Sequence, residues 1–187
     1  MEDIVDESYE FEEIDNTETN VKYDFVSKGD KEVPKRVMLT KYELLGLENY
    51  YNLGFGNLSI DKDGIEHISD MSRDNNKDDK DKVLKTVLTC TLDFVSNLSE
   101  SVITFYGNTS AKHRMYKMGL NKNLEGIKKY FNIKGGIIND LVTEETKEDG
   151  KRPVSQINIE SIEYEEYKSE KSREYNFITF ELKDDLK

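Results

Sequence analysis

The sequence predicts an α+β domain: an antiparallel sheet, two to three helices packed on one face, and a β-hairpin at the C-terminal end. Three observations carry this. Residues 21–60 hold segments that alternate apolar and polar, the period of half-buried strands. Residues 80–98 place apolar residues at helical spacing over a wide arc. Turn-forming breaks divide the segments, at Lys28-Gly29-Asp30 and at Asp61-Lys62-Asp63-Gly64.

Residues 1–20 hold nine acids and no Lys or Arg, which predicts an acidic flexible tail. A docking segment is the sharper alternative. The run 21–29 puts Val21, Tyr23, Phe25 and Ser27 on one side of a strand. Residues 35–43 read as its antiparallel partner, with Pro34 in the connection. Residues 50–60 form a third strand in which Leu53, Phe55 and Asn57 share a side, and Gly54 and Gly56 suggest a bulge or close approach. A fourth strand runs from Ile65 to Met71. The polar loop 72–81 ends in Asp78 and Asp79, either of which can cap a helix. The helix 80–98 carries Val83, Val87, Cys90 and Phe94 on one face. Residues 101–106 read as a buried strand. Two helices are expected at 110–119 and 122–132, broken near Gly119, with Gly135-Gly136 as a stop. Residues 137–142 read as a strand and 143–153 as a solvated loop. The runs 158–167 and 174–183 read as the two arms of a charged hairpin. The expected organisation is a tail (1–20), a core (21–142) and an extension (143–187).

Length and composition limit the choices. A chain of 187 residues suits one domain, and 35% hydrophobic content beside 35% charged content leaves room for solvated segments. The net charge of −12 is uneven: residues 21–140 hold 17 acids against 19 Lys and Arg. A pI of 4.8 therefore does not argue against nucleotide or nucleic-acid binding by the middle of the chain. The single cysteine, Cys90, excludes an intrachain disulfide and suits a reducing cytoplasm. The N-terminus lacks the basic and apolar regions of a secretory signal, and no apolar run is long enough to span a membrane.

Two stretches are candidate sites. In GNTSAKHRMY (107–116), a small-residue turn leads from a strand into a helix start, where backbone N–H groups attract anions. Thr109 and Ser110 are candidate caps. Lys112, His113, Arg114 and Tyr116 add charge and hydrogen bonding, as a phosphate or other anion requires. A helix start whose cations pair with nearby acids is the plainer reading. In SRDNN (72–76), Arg73, Asn75 and Asn76 concentrate hydrogen-bonding groups before a helix, although such residues usually serve turns. The spacing of a Walker A loop is absent. With two histidines, no HExxH and one apolar cysteine, neither a metal site nor a cofactor is expected. No GxSxG elbow supports acyl transfer. His113 as a base beside Lys112 and Arg114 would suit phosphodiester cleavage, on a single histidine.

YDFVSKG (23–29), YNLGFGNL (51–58), SRDNN followed by DKVLKTV (81–87), and GNTSAKHRMYKMGL (107–120) together resemble an uncharacterised bacterial family, common in Bacteroidota and their mobile elements. Its last motif usually runs G-S-T-x-A-R-x-R-x-Y. Gly107, Thr109, Ala111, Arg114 and Tyr116 match it, while Asn108 and Lys112 depart from it. Lys112 keeps the charge of an Arg but not its bidentate fork. The resemblance covers about residues 21–130 and implies a small α+β domain with no established activity. Related short proteins are associated with toxin–antitoxin and phage–host conflict loci.

The first expectation is thus a small, non-enzymatic, cytoplasmic binding protein of phage or mobile-element origin, acting on a host, phage or defence protein. Its acidic segment would mimic nucleic-acid charge towards a basic partner. The alternative is a nucleotide- or RNA-phosphate-binding domain, with phosphodiester cleavage as its catalytic form, built on residues 112–117. A homodimer is compatible with either reading; a membrane is not expected as a partner.

Overall fold

The computed structural model describes residues 7–42, 47–69, 75–76, 78–106, 110–144, 154–157 and 159–187. The chain is α+β and rich in strands, and it divides into two compact units, Met1–Ile103 with Asp184–Lys187, and Thr104–Lys183. Among the described residues, no helix is long and apolar enough to cross a membrane.

The first unit is an antiparallel meander with one helix. Strands β1 (Phe11–Asn16), β2 (Asn20–Lys28), β3 (Glu32–Lys41), β4 (Tyr50–Ile60) and β5 (Glu66–Ser69) pair in chain order. Residues 11–16, expected within a flexible tail, therefore form an ordered edge strand. Its anchors are apolar: Tyr9 is buried and stacks on Phe25, and Phe11 meets Tyr23 edge-on. Between β2, β3 and β4 the register puts Tyr23 opposite Val37 and Val37 opposite Phe55. The period of two then sends Val21, Tyr23, Phe25, Val37, Leu39, Tyr51 and Leu53 to one buried face.

Helix α1 (Lys80–Asn97) covers that face. Phe94 packs edge-on against Tyr51, and the Tyr23 hydroxyl donates to Asp93 at 3.0 Å. Burial and the Asp93 carboxylate push the Tyr23 phenol far up, so it stays protonated as a donor. Buried Thr86, Thr89 and Thr91 donate their hydroxyls to carbonyls one turn earlier, which satisfies them inside the helix. On the opposite face of the sheet, Arg36 is almost fully buried. It grips Asp24 with two bonds of 2.7 and 2.8 Å and also binds Glu66, tying β3 to β2 and β5.

Strand β6 (Val102–Phe105) follows α1, and Val102 donates its N–H to the Asn49 carbonyl at 2.9 Å. The second unit then contains helix α2 (Ser110–Ile127) and strands β7 (Phe131–Ile138), β8 (Leu141–Glu144), β9 (Val154–Ile157), β10 (Ile162–Glu166) and β11 (Phe177–Leu182). Strands β8 and β9 pair with each other. Three expectations change here. First, the two helices are one, unbroken through Gly119; Leu120 is buried and Asn121 accepts a 2.7 Å bond from the Tyr167 hydroxyl, so the suspected break is a docked surface. Second, β10 and β11 form but do not pair as a hairpin. Each pairs antiparallel with β7, which lies between them. Third, Gly135 and Gly136 stop nothing and sit within β7. A Cβ on either would come within 2.3 Å of an aromatic ring, Tyr175 over Gly135 and Phe177 over Gly136. The glycines are the floor on which the residues around β11 lay their rings. Most of the expected 143–153 loop lies outside the described residues.

That close approach has a measurable consequence. Gly135→Ala should destabilise the chain by about 1–3 kcal/mol, the usual cost of overpacking a tight contact. Urea denaturation reads this as a lower midpoint at unchanged slope. An unmoved midpoint would contradict the packing described.

Candidate functional site

At one end of the first unit, the core-facing positions stop being apolar. The inward alternation of β2 ends in Ser27, that of β3 includes Lys35, and that of β4 reaches Asn57. Lys35 and Asn57 are register partners, so their side chains meet. The Lys35 ammonium donates to Asn57 Oδ1 at 2.6 Å and to Asn75 Oδ1 at 2.8 Å. Asn76 donates to Ser27 Oγ at 2.9 Å and to the Lys31 carbonyl at 3.0 Å. Ser27 donates in turn to the Asp79 carboxylate, and the Tyr9 hydroxyl lies 3.2 Å from the same oxygen. A Cβ on Gly29 would fall 2.7 Å from the Asn76 side chain, so only glycine lets this turn close over the amide.

Burial explains the electrostatics. Lys35 is 6% exposed, and desolvation lowers its pKa, while the charge of Asp79 partly offsets the effect. Asp79 sits at the N-cap of α1 but makes no capping bond. Its carboxylate is turned to Ser27 and Tyr9 instead. Burial, above all, raises the Tyr9 phenol. An open cleft runs over this end, bordered by Tyr9, Lys28, Lys35, Asn76, Asp79 and Lys82. Lys82 lies 4.4 Å above the Tyr9 ring.

The other expected site is arranged differently. His113 and Lys117, one turn apart on α2, both reach the Tyr175 carbonyl, at 2.9 and 2.7 Å. Asn121 continues the same stripe to Tyr167. Burial lowers the His113 pKa below its ordinary 6.5; the Tyr175 carbonyl opposes this and Lys117 adds to it. Tyr116 packs its ring 4.6 Å from Phe105, and Arg114 is exposed. A histidine held this way positions a helix before it serves as a base.

Of the residues expected at a site, Asn75 and Asn76 meet at the polar end of the first unit, and His113, Arg114 and Tyr116 lie on α2 of the second. Thr109 and Arg73 lie outside the described residues, as do the side chains of Ser110 and Lys112. Sequence reasoning missed Lys35, Ser27, Asp79 and Tyr9 as site residues. The signal for Lys35 was present: a lysine at an inward position between Val33 and Val37.

The fold and this end together define an α+β domain whose cleft has a hydrophilic floor of hydrogen-bonded side chains. The chain belongs to a family of unknown function (DUF6934), whose profile matches residues 6–152. No curated protein and no solved structure matches it.

Two outcomes follow from the geometry. Lys35→Met removes the donor shared by the amide oxygens of Asn57 and Asn75 and should cost about 1–3 kcal/mol in chemical denaturation; adding Asn57→Leu should recover part of the loss. A double variant no better than the single would break the pairing argument. Second, His113 carries a lowered folded pKa, so the unfolded chain takes up its proton first. That contribution is present above about pH 6.5 and is lost as pH falls through the folded pKa. Denaturation midpoints measured on both sides of that pH should converge in His113→Gln, and an equally steep acid loss in the variant would exclude His113 as the source.

Proposed function

We propose that this chain is a small, non-enzymatic, cytoplasmic binding protein that offers its acidic edge strand to a basic segment of a protein partner. One observation carries the reading: β1 is the terminal strand of its sheet, paired to β2 alone among the described strands, and it presents Glu12, Glu13 and Asp15 with Ile14 exposed between them. An unpaired strand edge is a template for an added strand, whose main-chain bonds supply affinity. The acids choose a cationic strand and speed its encounter. Charge on an edge also guards against unwanted pairing, and the register shift between Glu13 and Asp15 adds to that guard. The two roles agree, since an edge closed to most strands stays open to a basic one. The resemblance to proteins of mobile elements makes a host, phage or defence protein the partner class, and strand exchange between two copies the homodimer alternative.

A nucleotide or RNA phosphate on α2 is the second reading, favoured by the exposed Arg114. It is weakened by the bonds of His113 and Lys117 to Tyr175. The expected test outcome is that Glu12→Lys with Glu13→Lys and Asp15→Lys abolishes recovery of a partner that the unaltered chain retains, and that added salt weakens the same capture. Equal recovery by the folded triple variant, with Arg114→Glu losing it instead, would transfer the function to α2.

A further inference from the structure

The polar end of the first unit holds two charges whose bonding capacity is not used up. Lys35 has three N–H donors, and two of them go to the amide oxygens of Asn57 and Asn75. Asp79 accepts the Ser27 hydroxyl on Oδ2, and the Tyr9 hydroxyl, shared with the Lys28 carbonyl, lies 3.2 Å from the same oxygen; among the described residues this leaves Oδ1. Among the described residues, no ion pair joins Lys35 to any carboxylate; Asp79 acts on it only through space. Both residues border the open cleft, Lys35 from its floor at 6% exposure.

A buried cation is normally matched by a carboxylate, because desolvating a charge without a partner is costly. Here two amide dipoles hold the ammonium, and among the described residues its third donor meets no acceptor. A lone anion in the cleft would gain Lys35 and meet the repulsion of Asp79. A lone cation would gain Asp79 and meet the repulsion of Lys35. One molecule that carries both charges a short distance apart satisfies both ends. We propose that this cleft binds a small zwitterion of the α-amino-acid class, with its carboxylate on Lys35 and its ammonium on Asp79. Asn76, which also borders the cleft, fixes the loop that carries Asp79 to the end of β2. The inference is independent of the partner reading at β1.

The test uses the full chain and the common free amino acids as probes. Backbone amide spectra are recorded while each is titrated to millimolar concentration, where weak small-ligand sites fill. At least one amino acid is expected to shift Tyr9, Lys35, Asn76 and Asp79 together. Its N-acetyl derivative and its methyl ester, each lacking one charge, should each bind about tenfold or more weakly, the loss expected for one charge-assisted hydrogen bond. These derivatives probe both ends without altering the protein, so a misfolded Lys35 variant does not blur the result. Asp79→Asn, which preserves an acceptor, should lose the preference for the free ammonium over the N-acetyl form. No shift at these four residues with any amino acid would overturn the proposal, and so would equal binding of the N-acetyl form or of the ester.

Discussion

The first unit depends on one constraint: three strands deliver polar side chains to core-facing positions at the same end, and each must find a partner there. Ser27, Lys35 and Asn57 are buried there, on a face they share with Phe25, Val37 and Phe55. The residues just before α1 answer this demand. Asn75 takes Lys35, Asn76 takes Ser27, and Asp79 makes no side-chain cap for its own helix but accepts the Ser27 hydroxyl, beside a Tyr9 hydroxyl shared with the Lys28 carbonyl. The place where α1 begins is thereby tied to where the strands end. Gly29 belongs to the same constraint, since the turn after β2 must let Asn76 in. A change to any of these residues acts on strand, turn and helix together.

The arginine next to Lys35 does the complementary task on the other face. Arg36 is 3% exposed, yet its two carboxylate partners stand nearer the solvent. The hydrogen bonds from Arg36, above all, hold Glu66 below its usual carboxylate range. Two successive residues thus carry buried positive charge to opposite faces of one strand. Arg36 is answered by carboxylates and closes its face. Lys35 is answered by amides and leaves capacity at a cleft. The same contrast separates the two most buried lysines among the described residues. Lys117 donates to a main-chain carbonyl shared with His113 and secures α2, whereas Lys35 borders open space.

The period-two pattern was the most legible part of the sequence. Val21, Tyr23, Phe25 and Ser27 share a face as expected, and so do Leu53, Phe55 and Asn57, because local alternation suffices to assign them. The helix at 80–98 was legible for the same reason at helical spacing. What escaped depends on distant partners. Glu12, Glu13 and Asp15 suggest a solvated tail until Phe11 is seen against Tyr23. Gly119 suggests a break until Tyr167 is seen on Asn121. Gly135-Gly136 suggests a stop until two rings lie over it. In each case tertiary contact overrides a local preference worth about 1 kcal/mol or less. The candidate site was half legible: asparagines before a helix announced it, but the lysine that gives it charge lies forty residues away in sequence, on another strand.

The acids of β1 and the pocket behind them can be understood through one economy of charge. The N-terminal segment reaches the sheet by its aromatic residues, Tyr9 and Phe11, and these point inward. Glu12 and Glu13 fall on opposite faces by alternation, yet both stay exposed, and with Asp15 they crowd on a strand that ends its sheet. Repulsion among them is tolerated because Lys22 takes Asp15 at 2.8 Å and the rest face solvent. A strand meant only to seal the sheet would need no such density of one sign. In the proposed reading, an edge that keeps it, with an exposed isoleucine in its middle, would meet a partner that brings cations and an apolar contact together.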